Sequence, residues 1–195
     1  MGMRSQDMSN GYDANSADFI AVRSNAGEAL IQSWALTLPK GGHVIDIGAG
    51  SGKPLTQVLI KVGLNVCALD ASPNMVAAFK HNFPDIKISC EAAENSRLFD
   101  QTYDGILAVG LVFLLAEPVQ RKLISHMAAA LKPHGRLLFS APTEVGTWDD
   151  VLTGAPSLSL GEAAYKQIIA DNGLHMIGQY RDEGGSHYYE AQRAI

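Results

Sequence analysis

The sequence predicts an α/β fold: a doubly wound, seven-stranded, mostly parallel sheet whose last strand runs antiparallel. Three observations carry this. Short apolar runs alternate with helix-period segments from His43 to Ser140, and most of the runs are continuous, as in a sheet buried on both faces. A glycine-rich turn, Gly48-Ala49-Gly50-Ser51-Gly52, links the first run to the first helix behind it. Near the end, Leu174–Tyr180 and His187–Gln192 are separated only by Arg181-Asp182-Glu183-Gly184-Gly185-Ser186, too short for the crossover between parallel neighbours.

Each element follows in order. Ser16–Leu38 carries Ala17, Ile20, Ala21, Leu30 and Trp34 near helical spacing and predicts one helix, ended by Pro39 and Gly41-Gly42. Residues 1–40 are therefore expected to form a helical cap segment before a domain over 41–195. His43–Ile47 is the first strand, Lys53–Val62 a helix and Asn65–Leu69 the second strand. Ser72 is a good N-cap and Pro73 suits a first helical turn, so a helix runs to about Asn82. Ile86–Cys90, Tyr103–Val109 and Arg136–Ser140 supply further strands, with a helix over Glu117–Leu131 ended by Lys132-Pro133-His134-Gly135. The rhythm breaks over Ala141–Leu160, where Pro142, Gly146, Gly154 and Pro156 interrupt any period. An irregular connection of that length predicts a substrate lid. Gly161–Asn172 returns to helix.

Composition narrows the function classes. The 195 residues suit one domain, with 47% hydrophobic and 18% charged residues. A net charge of −5 and the absence of a Lys/Arg cluster argue against a nucleic-acid face. No apolar run reaches the roughly 20 residues of a membrane span, and Met1–Asn15 lacks a signal-peptide core, so a cytoplasmic location is expected. Cys67 and Cys90 lie in apolar strand-like runs and are expected to be buried free thiols. No His, Cys and carboxylate group has metal-ligand spacing, so no metal is expected. His43, His81, His126 and His175 fall at strand starts or on helices, away from the carboxyl edge of the sheet.

The glycine loop narrows the ligand. A phosphate-binding P-loop would need glycine where Ile47 stands and Ser or Thr where Pro54 stands. The dinucleotide fingerprint would need a third glycine where Lys53 stands, which weakens a nicotinamide reading. What remains is acidic-x-Gly-x-Gly-x-Gly from Asp46, with Asp70 about 20 positions beyond the loop, placed to accept hydrogen bonds from a ribose.

That pattern resembles the first motif of class I S-adenosylmethionine-dependent methyltransferases, including small bacterial methyltransferase domains. Leu69-Asp70-Ala71-Ser72 matches that family's second strand end, Glu91-Ala92-Ala93 its adenine-side stretch, Tyr103-Asp104-Gly105-Ile106 its fourth strand and Leu131–Leu137 its Leu-Lys-Pro-Gly-Gly turn, with His134 as a departure. The tail reads Gly185-Ser186-His187-Tyr188-Tyr189 where the small bacterial group often has an amide in place of Ser186. The resemblance implies a Rossmann-like methyltransferase fold, S-adenosylmethionine as cofactor and in-line transfer of its methyl group. It implies a cofactor site of Asp46, Gly48, Ala49, Gly50, Gly52, Asp70, Ala71, Glu91, Ala92, Val109 and Gly110.

Several residues remain as candidates on chemical grounds. Tyr12 could cover the ligand, whereas Arg23 reads as a solvated surface charge. His187 is the candidate base because imidazole titrates near neutrality. Tyr188 and Tyr189 point to opposite sheet faces, so only one of them can reach the site, and Tyr188 is carried forward. Asp149, Asp150 and Thr153 lie on the expected lid. Val109-Gly110-Leu111-Val112-Phe113 stands where base-modifying relatives carry an Asp/Asn-Pro-Pro-aromatic motif, which disfavours nucleic-acid bases as acceptors. Leu111, Val112, Phe113 and Trp148 suggest a small, partly hydrophobic acceptor. Two other readings stay open: a non-catalytic module binding S-adenosylmethionine or S-adenosylhomocysteine, and a nicotinamide-dependent oxidoreductase.

Overall fold

The computed structural model describes residues 7–194. Its elements run α1 (Ser16–Val22), α2 (Glu28–Ala35), β1 (His43–Ile47), α3 (Leu55–Lys61), β2 (Asn65–Asp70), α4 (Pro73–Asn82), β3 (Lys87–Cys90), β4 (Tyr103–Ala108), α5 (Glu117–Ala129), β5 (Leu131–Ser140), β6 (Val145–Asp149), β7 (Pro156–Leu160), α6 (Glu162–Asp171), β8 (Leu174–Arg181) and β9 (His187–Arg193). Seven strands form one sheet in the order β3-β2-β1-β4-β5-β9-β8. β9 is antiparallel to both β5 and β8, and the other pairings are parallel. The expected sheet, with its antiparallel last strand, is the one found.

Alternation along the strands builds a core on each face. Ile45, Ile106, Leu137 and Tyr189 point one way and pack with Leu123 and Met127 of α5 and Tyr165 and Ile169 of α6. Their neighbours Val44, Leu107, Leu138 and Tyr188 point the other way, onto Ile31 and Trp34 of α2 and Val58 and Leu59 of α3. These side chains are fully or almost fully buried, each contributing about 1.5–3 kcal/mol of transfer free energy. The Tyr188 and Tyr189 alternation expected from the sequence is present.

The register fixes where a ligand can sit. Ile47 lies opposite Leu69, and Asp46 lies between Ala68 and Leu107. The carboxyl ends of β1, β2 and β4 therefore finish level. The chain leaves β1 toward β2 and β3 on one side and returns to β4 on the other, so a crevice opens at the switch point between β1 and β4.

Four departures from the sequence reading have physical causes. The single helix expected over Ser16–Leu38 is two: the chain turns extended at Arg23, and α2 starts after Gly27, which adopts φ +85° and whose N–H reaches Glu183 Oε1 at 3.2 Å. The break lets residues 24–27 lie against the β8–β9 turn, where a Cβ on Gly27 would fall 2.7 Å from Tyr188 Oη. β5 starts at Leu131 rather than Arg136, pairing Tyr103 with Leu131 across an irregularity that leaves His134 exposed at φ +61°. Residues 141–160 are not irregular, since β6 and β7 pair as an antiparallel hairpin with Trp148 opposite Ser157. Cys90 is exposed because β3 is the sheet's edge strand, and Cys67, on the neighbouring β2, is half-buried. Of the expected cap segment, residues 1–6 lie outside the described residues. Among those described, no helix is long and apolar enough to cross a membrane.

Candidate functional site

The turn after β1 is held by the end of β2. Gly48 N–H and Ala49 N–H both donate to Leu69 O, and Gly50 N–H donates to Asp70 Oδ2 at 2.8 Å. Asp70 Oδ1 accepts from Ser72 N–H at 2.9 Å, while Ser72 Oγ caps α4 by accepting from Met75 N–H. A carboxylate offers about four lone-pair sites, so Asp70 keeps capacity for a ligand after serving two backbone groups. Burial raises its pKa, opposed by those two N–H bonds and reinforced by Asp13 nearby.

A cleft of about 290 Å³ opens above this edge. Gly48, Gly50, Asp70 and Ala71 line one part of it, with Met75, Ala92, Ala93 and Glu94 forming a largely apolar wall beside them. Val109, Gly110, Leu111, Phe113 and Ser140 line the other part, at the ends of β4 and β5. Gly110 has φ +72°, and a Cβ there would meet no atom within 4 Å, so backbone faces open space. Ser140 Oγ fixes that backbone by accepting from Gly110 N–H at 2.8 Å.

The cleft gathers most of the sequence-derived candidates. Gly48, Gly50, Asp70, Ala71, Ala92, Val109, Gly110 and Tyr12 line it. Asp46, Ala49, Gly52 and Glu91 do not. Asp46 is 3% exposed and its Oδ2 accepts from Thr56 Oγ1 at 2.5 Å, tying β1 to α3. Burial pushes its pKa up to about 6, against the Thr56 bond. Gly52 sits where a Cβ would come within 2.6 Å of Phe83 and 2.8 Å of Phe79, so it permits close packing on α4 and the residues after it. Ala49 is spent on the turn, and Glu91 stands just beyond the edge strand β3, short of the lining.

Two residues that the sequence left at the surface or in doubt are brought in. Arg23 is the one cation lining the cleft among the described residues, carried there by the break between α1 and α2. Asp150, after β6, also lines it and accepts from Tyr12 Oη at 3.0 Å. Thr153 packs on Gly11, and Asp149 is exposed. Residues 9–15 cross the cleft as a strap, with Met8, Ser9, Asn10 and Tyr12 on its walls. No periodic pattern in the sequence signals a strap, because its position depends on side-chain bonds to distant elements.

Tyr188 lines the cleft, but its Oη donates to Asp182 Oδ2 at 2.9 Å. Burial and that carboxylate drive the phenol's pKa further up, which disfavours a phenolate. His187 lies outside the main cleft, on an adjoining trough of about 420 Å³ that shares Phe113, Ser140 and Ser186 with it. Its Nε2 is buried without a hydrogen-bond partner, its ring meets Tyr189 edge-on at 4.9 Å, and burial lowers its pKa from the ordinary 6.5. Leu111 and Phe113 line the cleft, Trp148 stacks at a tilt on Phe113 at 5.6 Å, and Val112 is buried in the core.

Residues 44–135 match a family described as a methyltransferase domain. The chain is 31% identical over 105 residues to the ubiquinone biosynthesis O-methyltransferase of Coxiella burnetii, covering 52% of this chain and 44% of the relative. It thus spans less than half the length of the curated relatives it matches. The magnesium protoporphyrin IX methyltransferase of Synechocystis, solved with bound S-adenosylmethionine, superposes over all of both chains with a TM-score of 0.76 at 18% identity. The 1,6-didemethyltoxoflavin-N1-methyltransferase of Burkholderia thailandensis, solved with its acceptor and S-adenosylhomocysteine, gives 0.72 at 15% identity over 100% of this chain and 93% of that one. At these identities the two structures establish the fold.

Proposed function

We propose that this chain is a class I S-adenosylmethionine-dependent methyltransferase that moves a methyl group from S-adenosylmethionine to a small-molecule acceptor. The observation that carries the reading is the joint placement of Asp70, the Gly48–Gly50 turn and Gly110 around one cleft at the switch point of the sheet. The residues fit the cofactor. Asp70 has lone pairs free for two ribose hydroxyls, and Ala71, Met75, Ala92 and Ala93 give a flat apolar wall for an adenine. Gly110 leaves backbone open to the amino-acid end, with Gly48 and Gly50 lining the same cleft, where Arg23 supplies a positive charge for a carboxylate.

The bound cofactor supplies an activated methyl group on a sulfonium. The chain's own work is to orient and desolvate, and orientation of two reactants lowers a barrier by up to about 7–11 kcal/mol. Leu111 and Phe113, backed by Trp148, form an apolar wall on the acceptor side, and the strap over Tyr12 helps exclude water. For an acceptor that must lose a proton, His187 is the proposed base. Its lowered pKa keeps it neutral near pH 7, and with Nε2 sealed, the transfer falls to Nδ1. The neighbours named above, O- and N-methyltransferases of small molecules, support a small-molecule acceptor without selecting the atom that is methylated.

Calorimetric titration of the purified chain with S-adenosylmethionine and then S-adenosylhomocysteine tests the reading. Micromolar binding of both, followed by S-adenosylhomocysteine production with members of a small-molecule panel, is the expected result. Folded, ligand-free protein that binds neither would overturn it and restore the nicotinamide alternative.

A further inference from the structure

The strap over residues 9–15 is clasped through two adjacent residues, Asp13 and Tyr12, whose partners lie on different halves of the cleft. On the nucleoside side, Asp13 Oδ1 accepts from Ser72 Oγ at 2.7 Å and from Asn74 N–H at 2.9 Å, and Asn74 Nδ2 donates to Asp13 O at 3.0 Å. These bonds fix the strap to the start of α4, two to four residues past Asp70. On the acceptor side, Tyr12 Oη donates to Asp150 Oδ2. The other oxygen of Asp150 is occupied within its own turn, accepting from Leu152 N–H, Thr153 N–H and Thr153 Oγ1 at 2.8–3.1 Å. Asp150 therefore organises the turn between β6 and β7 with one oxygen and holds the strap with the other.

The same hairpin carries Trp148 onto Phe113, a wall of the cleft. Tyr12 thus stands between the strap and the acceptor wall, its ring edge-on to Phe19 at 5.4 Å. A ligand shifts a conformational equilibrium only by contacts that differ between its states. A nucleoside beneath the strap makes such contacts, since the strap lines the cleft, and the Tyr12–Asp150 bond ties the hairpin to the strap.

We propose that Tyr12 is a positioning residue that couples cofactor occupancy to the β6–β7 hairpin, so that bound cofactor steadies the acceptor wall at Trp148 and Phe113. The proposal takes its ligand from the methyl-transfer reading. Linkage then requires that a bound acceptor tighten cofactor binding by the same factor.

Trp148 offers a direct readout, since the chain's other tryptophan, Trp34, is only 4% exposed and lies in the core beneath the sheet. The full chain is titrated with S-adenosylhomocysteine, following heat and tryptophan emission together, with Trp148→Phe identifying the source of the signal. In the wild type, emission from Trp148 should change with the same midpoint as the heat. Tyr12→Phe keeps the ring on Phe19 and removes the hydroxyl. It should still bind, with affinity reduced about 2- to 10-fold, while the Trp148 response is lost. Asp150→Asn leaves one acceptor oxygen where Tyr12 Oη and the Leu152 and Thr153 N–H groups need two, so it should diminish the Trp148 response as Tyr12→Phe does. Heat without a Trp148 change in the wild type, or an undiminished response in Tyr12→Phe, would overturn the coupling. Absence of heat in the wild type would instead overturn the cofactor reading on which it rests.

Discussion

Asp70 Oδ2 accepts the Gly50 N–H at 2.8 Å, so the acidic end of β2 and the glycine turn after β1 form one unit. The carboxylate shapes the loop that it shares a ligand with. Asp70→Ala is therefore expected to act twice: cofactor affinity falls at least tenfold, and stability falls by about 1–3 kcal/mol as the N–H groups of Gly50 and Ser72 lose their acceptor. Calorimetry together with urea unfolding measures both. Unchanged affinity would remove the ribose assignment.

Gly110 and Gly52 make a paired test of cleft against core. Both have positive φ, so alanine costs about 1–2 kcal/mol of backbone strain at either position. At Gly110 the new methyl enters the cleft and meets no atom within 4 Å, so Gly110→Ala should lose cofactor affinity with only that strain. At Gly52 it would strike Phe79 and Phe83, and Gly52→Ala should lose about 2–5 kcal/mol of stability. Equal stability losses would contradict the assignment.

Asp46 gives stability a definite pH dependence. Burial raises its pKa from the ordinary 3.8 to about 6. Between those values the folded state holds the proton that the unfolded chain releases, so this residue's contribution to stability declines as pH rises from about 4 to about 6. The full decline is on the order of 2–3 kcal/mol. Asp46→Asn has no such titration, so its stability relative to wild type should rise by that amount from pH 4 to pH 7. Urea midpoints at the two pH values check the sign, and a constant difference would refute it.

His187→Gln should lower turnover by about two to four orders of magnitude for an acceptor that loses a proton, leaving S-adenosylhomocysteine affinity unchanged. Because burial lowers the imidazole's pKa, the acidic limb of the wild-type rate profile should have its midpoint below 6.5. Normal turnover in the variant would leave His187 a purely structural neighbour of Tyr189.

Local chemistry by itself determined the sheet and half of the cleft. The strand runs around Ile45, Leu69 and Ile106, the glycine turn at Gly48–Gly50 and the acidic Asp70 are encoded within a few residues of each other, and alternation assigns Tyr188 and Tyr189 to opposite faces. The short β8–β9 link likewise dictates antiparallel pairing. Tertiary structure decided the rest, because the remaining residues are placed by partners far away in the chain. The expected helix breaks between Arg23 and Gly27, where Gly27 meets Glu183 and Tyr188, and the break brings Arg23 to the cleft. Asp46 and Gly52 belong to the loop's sequence motif, yet packing on Thr56, Phe79 and Phe83 turns them inward. Tyr12 meets Asp150 across 138 positions of sequence. Hydrogen bonds of that range leave no periodic trace in composition or spacing, and only the folded chain reveals which residues they join.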